Sequence, residues 1–198
     1  EIIAAVQEER FTRKKHTPQF PINSVKYCLE ETGFKINELD AIVFYDKPIV
    51  KFERLISTFY AMAPKGLIQF IKSIPIWLKE KLFLRKLIFD NLKEIEPELK
   101  KNEINILFTE HHISHAASSF YISNFKKSAI LTIDGVGEWC TASICKGDDK
   151  KIELLKELHF PHSVGLLYSA FTYYLGFRVN SGEYKLMGLA PYGQEHSK

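Results

Sequence analysis

The chain has 198 residues, 45% hydrophobic and 26% charged, which excludes a disordered tail, a collagen-like fibre and a disulfide-stapled miniprotein. With 27 basic and 24 acidic residues the formal net charge is only +3, too balanced to make nucleic-acid binding the first expectation. Cys28, Cys140 and Cys145 are an odd number with no CxxC pair, so neither a disulfide framework nor a cysteine zinc site is suggested and a reducing cytoplasm fits; no apolar run reaches the roughly 20 residues of a membrane helix.

In chain order, Glu1-Ile-Ile-Ala-Ala-Val6 reads as a strand already under way, without a start methionine or signal pattern, and a fragment is expected. A polar, mostly basic loop follows through Pro21, then an amphipathic helix from about Ile22 to Thr32. Asn23 or Ser24 is suited to cap its start, and Gly33 supplies the left-handed residue that closes it. Ala41-Ile-Val-Phe-Tyr45 is a short apolar strand of the kind found in a covered sheet, so the opening is β-α-β.

Residues 51–100 change character. Ile, Leu, Phe and Trp recur at helical spacing, and lysine stands at 65, 72, 79, 86, 93 and 100, which predicts a helical insertion with a solvated lysine stripe. Pro64, Pro75 and Pro97 are expected to break it into pieces, because proline lacks the backbone donor and crowds the preceding turn.

From residue 104 the order becomes regular. Ile104–Phe108 is a strand, His111 to about Tyr121 a helix, and Ser128–Ile133 a strand. Two more strands, 139–145 and 152–158, follow hairpin connections at Asp134-Gly-Val-Gly-Glu138 and Lys146-Gly-Asp-Asp-Lys150. Helices are expected over about 163–175 and 183–189. Eight of the ten glycines lie between Gly135 and Gly193, where backbone must approach something closely.

The sharpest chemical signal is Glu110-His-His-Ile-Ser-His115, which holds three of the seven histidines. On a helix, His111 and His115 stack on one face, close enough to share a cation, while His112 points about 100° away. A zinc-protease motif needs glutamate where His112 stands, so a peptidase reading is poor. The histidine pair requires a third ligand, and Asp134 is the candidate. It ends the next strand, and in a parallel α/β arrangement successive strand ends open on one sheet edge. Two histidines and a carboxylate leave open coordination positions, suited to iron, zinc or manganese in a catalytic site. Gly135 and Gly137 let backbone N–H groups turn toward a phosphate, with Glu138 as a further acid, although a plain hairpin accounts for the same glycines. Gly182, Glu183 and Lys185 are available to a nucleotide, or equally to a capped surface helix.

Together the segments EERFTRKKH (8–16), EHHISHAASSF (110–120), LTIDGVGEW (131–139), HSVGLLYSAFTYYLGF (162–177) and GEYKLMGLAPYG (182–193) closely resemble the O-carbamoyltransferases of the nodulation and antibiotic-tailoring family, in the right order from residue 1 to 193. The resemblance implies an α/β fold of the actin/sugar-kinase type, built from ribonuclease-H-like lobes and similar to the tRNA threonylcarbamoyladenosine synthase. A first lobe would run over 1–125 with the insertion at about 51–100, and the truncated start of a second over 126–198. It further implies ATP and carbamoyl phosphate giving carbamoyl adenylate, a carbamoyl transfer to a small-molecule acceptor hydroxyl beside iron, and a C-terminal carbamoyl-adenylate-forming domain outside this chain. By the resemblance His111, His115 and Asp134 fall on the family's metal positions and Lys15 on one near the acceptor, while Gly135, Gly137 and Glu138 are expected to line the phosphate side and Gly182, Glu183 and Lys185 the nucleotide end. The family's general base would precede Glu1, so no catalytic residue is assigned. A tRNA-modifying relative and a non-catalytic actin-like scaffold are the alternative readings.

Overall fold

The computed structural model describes residues 2–15, 17–77 and 83–194. The chain divides into two compact units, Glu1–Phe44 with Leu55–Phe108, and Tyr45–Arg54 with Thr109–Lys198.

In the first unit, the strand expected at 1–6 does not form among the described residues: Ile2 and Ile3 remain 66% and 64% exposed and no neighbouring strand pairs with them. A strand without a partner leaves its backbone groups to water. The first elements are instead a single helical turn, α1 (Glu9–Thr12), and helix α2 (Ile22–Thr32). Gly33 closes α2 at φ +71°, its N–H donating to the Leu29 carbonyl. The start of α2 is not capped by its own Asn23 or Ser24. Glu8 reaches in from α1, and its carboxylate accepts from the Ser24 N–H at 2.8 Å and hydroxyl at 2.9 Å and from the Asn23 side-chain amide at 2.6 Å.

Strand β1 (Ile42–Phe44) is followed along the chain by α3 (Pro48–Met62), of which the residues from Leu55 on belong to the first unit, then by α4 (Leu67–Trp77) and α5 (Leu84–Ile95), and the unit returns as β2 (Ile106–Phe108), parallel to β1. Val43 and Leu107 stay 60% and 45% exposed, so this ribbon is covered on one face only. Pro64 separates α3 from α4 and Pro97 follows α5, as proline chemistry requires, but Pro75 lies inside α4. It removes a single helical donor, and the helix continues to Trp77. Along α5 the residues Leu84, Ile88, Phe89 and Leu92 fall on one face and are buried against Ile36, Leu99 and Ile106. Each such burial contributes about 2 kcal/mol. Lys65, Lys72, Lys86, Lys93 and Lys100 are exposed, in line with a solvated stripe; Lys79 lies outside the described residues.

In the second unit, α6 (His111–Phe120) packs on an antiparallel sheet of β3 (Lys127–Ile133), β4 (Cys140–Asp148) and β5 (Lys151–His159), ordered β3-β4-β5. Alternation along β3 turns Ile130 and Thr132 inward and leaves Leu131 and Ile133 65% and 56% exposed. Ala116 and Phe120 of α6 meet Ile130 and Cys145 in the core. A Cβ at Gly147 would lie 2.5 Å from the Phe120 ring, so the bare backbone of β4 is what admits that ring. The second hairpin turns at Asp149 and Lys150, shorter than expected, with Asp149 in the left-handed region at φ 53°. Helices α7 (Val164–Tyr174) and α8 (Glu183–Leu189) complete the unit. No helix among the described residues is long and apolar enough to cross a membrane.

Candidate metal centre

Helix α6 begins at His111, and one turn later His115 brings its Nε2 to 3.1 Å from the Nε2 of His111, with the ring centroids 4.7 Å apart. His112 turns the other way, into the core. Its Nδ1 lies 2.6 Å from the Thr132 hydroxyl, which in turn is 2.6 Å from the Ser143 hydroxyl, pinning α6 across β3 and β4. Burial pushes the His112 pKa down, reinforced by His111, while Asp134 opposes the shift. His112 is therefore an anchor of α6 in the core, and His111 and His115 share the face turned toward Asp134.

Asp134 follows β3 directly. Its N–H donates to the Thr141 carbonyl at 2.9 Å, its Oδ1 accepts from the Gly135 N–H at 2.6 Å, and its Oδ2 lies 2.8 Å from the Nε2 of His111. The hydrogen bond from His111 draws the carboxyl pKa down from 3.8 to about 2, against the opposing effect of burial, with help from the Gly135 N–H and the two histidine charges. One donor atom from each of His111, His115 and Asp134 falls within 4.8 Å of the others. Ligand atoms held at about 2.1 Å by one cation lie about 3.0–3.4 Å apart, so this set fits a first-row divalent metal after small adjustments, and these three donors would leave further coordination positions.

The loop after β3 is held by the start of α7. Ser163 caps that helix by accepting from the Leu166 N–H at 3.0 Å, and its hydroxyl lies 2.6 Å from the Gly135 carbonyl and 3.3 Å from that of Asp134. A Cβ on Gly137 would sit 2.9 Å from Cδ2 of His111 and 3.1 Å from Cδ2 of His112. The DGVGE glycines thus admit the imidazoles against the loop.

On the other side of His111 runs Tyr45-Asp46-Lys47. Buried Glu138 accepts from the Lys47 N–H at 2.7 Å through one carboxylate oxygen, while the other lies 3.4 Å from the His111 N–H. Burial pushes the Glu138 pKa up, and these two N–H groups oppose it. The Ser114 hydroxyl donates to the Tyr45 carbonyl at 3.0 Å, and Lys47 pairs with Glu110 at 2.8 Å. None of Asp46, Ser163 or Gly165 was singled out in the sequence. The usable signal was the position of Asp46, an acid just past a short strand, as Asp134 is.

A family model for the N-terminus of carbamoyltransferases matches residues 1–198. The chain belongs to the carbamoyltransferase family. An uncharacterised protein of Synechocystis, sll1178, is 56% identical over 193 residues, covering 98% of this chain and 31% of that protein. The nodulation protein NolNO of Sinorhizobium fredii is 38% identical over 197 residues, 98% of this chain and 26% of that protein. The nodulation protein NolO of Bradyrhizobium diazoefficiens is 40% identical over 83 residues, 42% of this chain. The chain spans between a quarter and a third of the first two relatives.

Within this carbamoyltransferase domain the expected metal residues converge, though not by the expected route. β2 and β3 belong to separate sheets, so neighbouring parallel strand ends are not what joins Asp134 to the histidines. The packing of α6 over β3 and β4 does so. The groups expected from the sequence on the phosphate side are engaged within the protein: the Gly135 N–H with Asp134, the Gly137 N–H with the Cys140 carbonyl, and both oxygens of Glu138 with backbone N–H groups. Gly182 precedes α8, where a Cβ would lie 2.7 Å from the Arg178 carbonyl oxygen. Glu183 accepts from the Asn180 N–H at 2.9 Å and the Ser169 hydroxyl at 3.2 Å, and the Asn180 contact leads in drawing its pKa down. The Lys185 N–H donates to the Gly182 carbonyl. Lys15 is an exposed residue of the first unit, between α1 and α2.

Proposed function

We propose that the chain is the cation-holding portion of an ATP-dependent O-carbamoyltransferase that passes a carbamoyl group from carbamoyl phosphate, by way of carbamoyl adenylate, to a small-molecule hydroxyl. The observation that carries this reading is the convergence of His111, His115 and Asp134 in a domain of carbamoyltransferase sequence. A divalent metal there, iron by the family resemblance, would supply a Lewis acid for the oxygen on which negative charge develops. The chain's own part is to hold that position. His111 and His115 offer imidazole nitrogens from one turn of α6, and Asp134, whose pKa is drawn down, adds the balancing charge. As the acceptor oxygen bonds to the carbamoyl carbon, its proton passes to the family's general base, for which no residue of this chain is assigned, the bond from that carbon to the adenylate phosphate oxygen breaks, and AMP departs with the electron pair.

Gly135, Gly137, Glu138, Gly182, Glu183 and Lys185 are proposed to border the phosphate and nucleotide, and Lys15 the acceptor. Since the carboxylates of Glu138 and Glu183 are committed to hydrogen bonds inside the second unit, their part is to shape the loops that border the nucleotide. The test uses the full-length natural protein with ATP, carbamoyl phosphate and hydroxylated acceptors, reading pyrophosphate release and, by mass spectrometry, the carbamoylated product. Wild type is expected to do both, and His115→Ala to keep pyrophosphate release while losing transfer. Undiminished transfer without His111 and His115 would overturn the assignment. Lys15→Ala is expected to raise KM for the acceptor more than for ATP.

A further inference from the structure

Two buried polar atoms beside the candidate centre face one another without hydrogen-bond partners: Oδ1 of Asp46 and Nδ1 of His111, 3.9 Å apart. Asp46 is 5% exposed, an unusual position for a carboxylate. Its other oxygen, Oδ2, is paired with Lys51, which compensates the charge on that side and leaves Oδ1 turned to the imidazole. The segment that carries Asp46 is tied to α6 at three points, through Glu138 between the N–H groups of Lys47 and His111, through Ser114 on the Tyr45 carbonyl, and through Lys47 on Glu110. Such bracing holds Asp46 opposite His111, whose Nε2 is the atom turned to Asp134 and His115.

An imidazole that gives its Nε2 lone pair to a cation must carry its proton on Nδ1, and a carboxylate facing Nδ1 selects that tautomer and the ring orientation. We infer that Asp46 is a positioning residue for the centre, fixing His111 as the Nδ1–H tautomer so that Nε2 is free to bind a divalent cation. This rests on the reading of His111, His115 and Asp134 as metal ligands. Asp46 itself would not touch the cation. Its separation from Nδ1 exceeds a direct hydrogen bond by about 1 Å, a gap closed by a small ring movement or one bridging water.

The experiment uses the full-length protein, freed of metal, with Co²⁺ as the probe. Affinity is read by equilibrium dialysis and by the visible absorption of bound Co²⁺, and the His111 tautomer by ¹⁵N NMR of labelled histidine in a metal-free Asp134→Ala background, where the carboxylate that otherwise accepts from Nε2 is absent. Asp46→Ala is expected to shift His111 from the Nδ1–H toward the Nε2–H form and to weaken Co²⁺ binding about 10–100-fold. Asp46→Asn keeps an acceptor oxygen and the shape, so it should retain much of the tautomer preference with a smaller loss of affinity, and it serves where the alanine variant does not fold. A purely structural Asp46 would leave the tautomer of the folded variants unmoved. Normal Co²⁺ uptake by wild type with unchanged tautomer and affinity in both variants would overturn the role of Asp46 alone. Wild-type protein that takes up no Co²⁺ would overturn the metal reading and this inference with it.

Discussion

Gly165, the second residue of α7, packs against the backbone of Asp134: a Cβ at position 165 would lie 2.4 Å from the Asp134 carbonyl oxygen and 2.6 Å from its carbonyl carbon. Both are main-chain atoms, fixed by the hydrogen bond from the Asp134 N–H to the Thr141 carbonyl, so the clash cannot be relieved by a rotamer change. Gly165→Ala is therefore expected to destabilise the protein by about 2–3 kcal/mol and to weaken metal uptake by moving the Asp134 carboxylate. Thermal unfolding and Co²⁺ dialysis read the two effects; an unshifted Tm with wild-type affinity would contradict this packing.

Gly137→Ala meets side chains instead. The new methyl would sit 2.9 Å from Cδ2 and 3.2 Å from Cβ of His111. The imidazole is able to give a few tenths of an ångström, so the stability loss should be smaller, about 1 kcal/mol, while the displaced ring costs metal affinity. The expected pattern is a larger drop in Tm for Gly165→Ala and a loss of Co²⁺ affinity in both variants. Equal Tm shifts would show that the Asp134 backbone yields as readily as a side chain.

What the sequence made legible was local. The helix over 183–189 and the β3 strand follow from hydrophobic period and flanking glycines, and the His111–His115 pair follows from one helical turn. Asp134 was reached by analogy with a parallel sheet, whereas β3 runs in an antiparallel one, and the residues meet because α6 lies over it. Partners brought in from afar left no local trace. Glu8 caps a helix that begins well downstream, and Asp46 faces His111 across a long stretch of intervening chain. Glycine counting marked the right region, but Gly137, Gly147 and Gly165 are needed for close packing by His111, Phe120 and Asp134, and a count does not reveal what the bare backbone accommodates.

Acid should expose the weight of the Asp134–His111 pair in the metal-free protein. The Asp134 carboxyl is drawn down from 3.8 to about 2 chiefly by His111. Its depressed pKa means the unfolded chain takes up the proton first, so the stabilisation is complete above about pH 5 and is lost progressively as pH falls toward 2. Asp134→Asn should be less stable than wild type near neutrality and should lose less further stability across that window. Denaturant unfolding at a series of pH values checks this; parallel curves for the two proteins would mean that the pair contributes nothing.

Glu8 provides the corresponding test in the first unit, away from any metal chemistry. Burial pushes its carboxyl pKa up, but the combined hydrogen bonds from the Ser24 and Asn23 backbone and side-chain groups outweigh that and leave it below its ordinary 4.5. A cap accepted by a carboxylate at a helix start also gains from the helix dipole, so Glu8→Ala is expected to cost about 1–2 kcal/mol. Glu8→Gln retains an acceptor oxygen and should cost less. Because the pKa is depressed, this stabilisation is present above the ordinary carboxylate range and fades as pH falls through the lowered value, so wild type and Glu8→Gln should converge in stability in acid. Stability measured by urea unfolding at neutral and acid pH decides it: a difference between the two that persists or grows below the carboxylate range would rule out the charged cap.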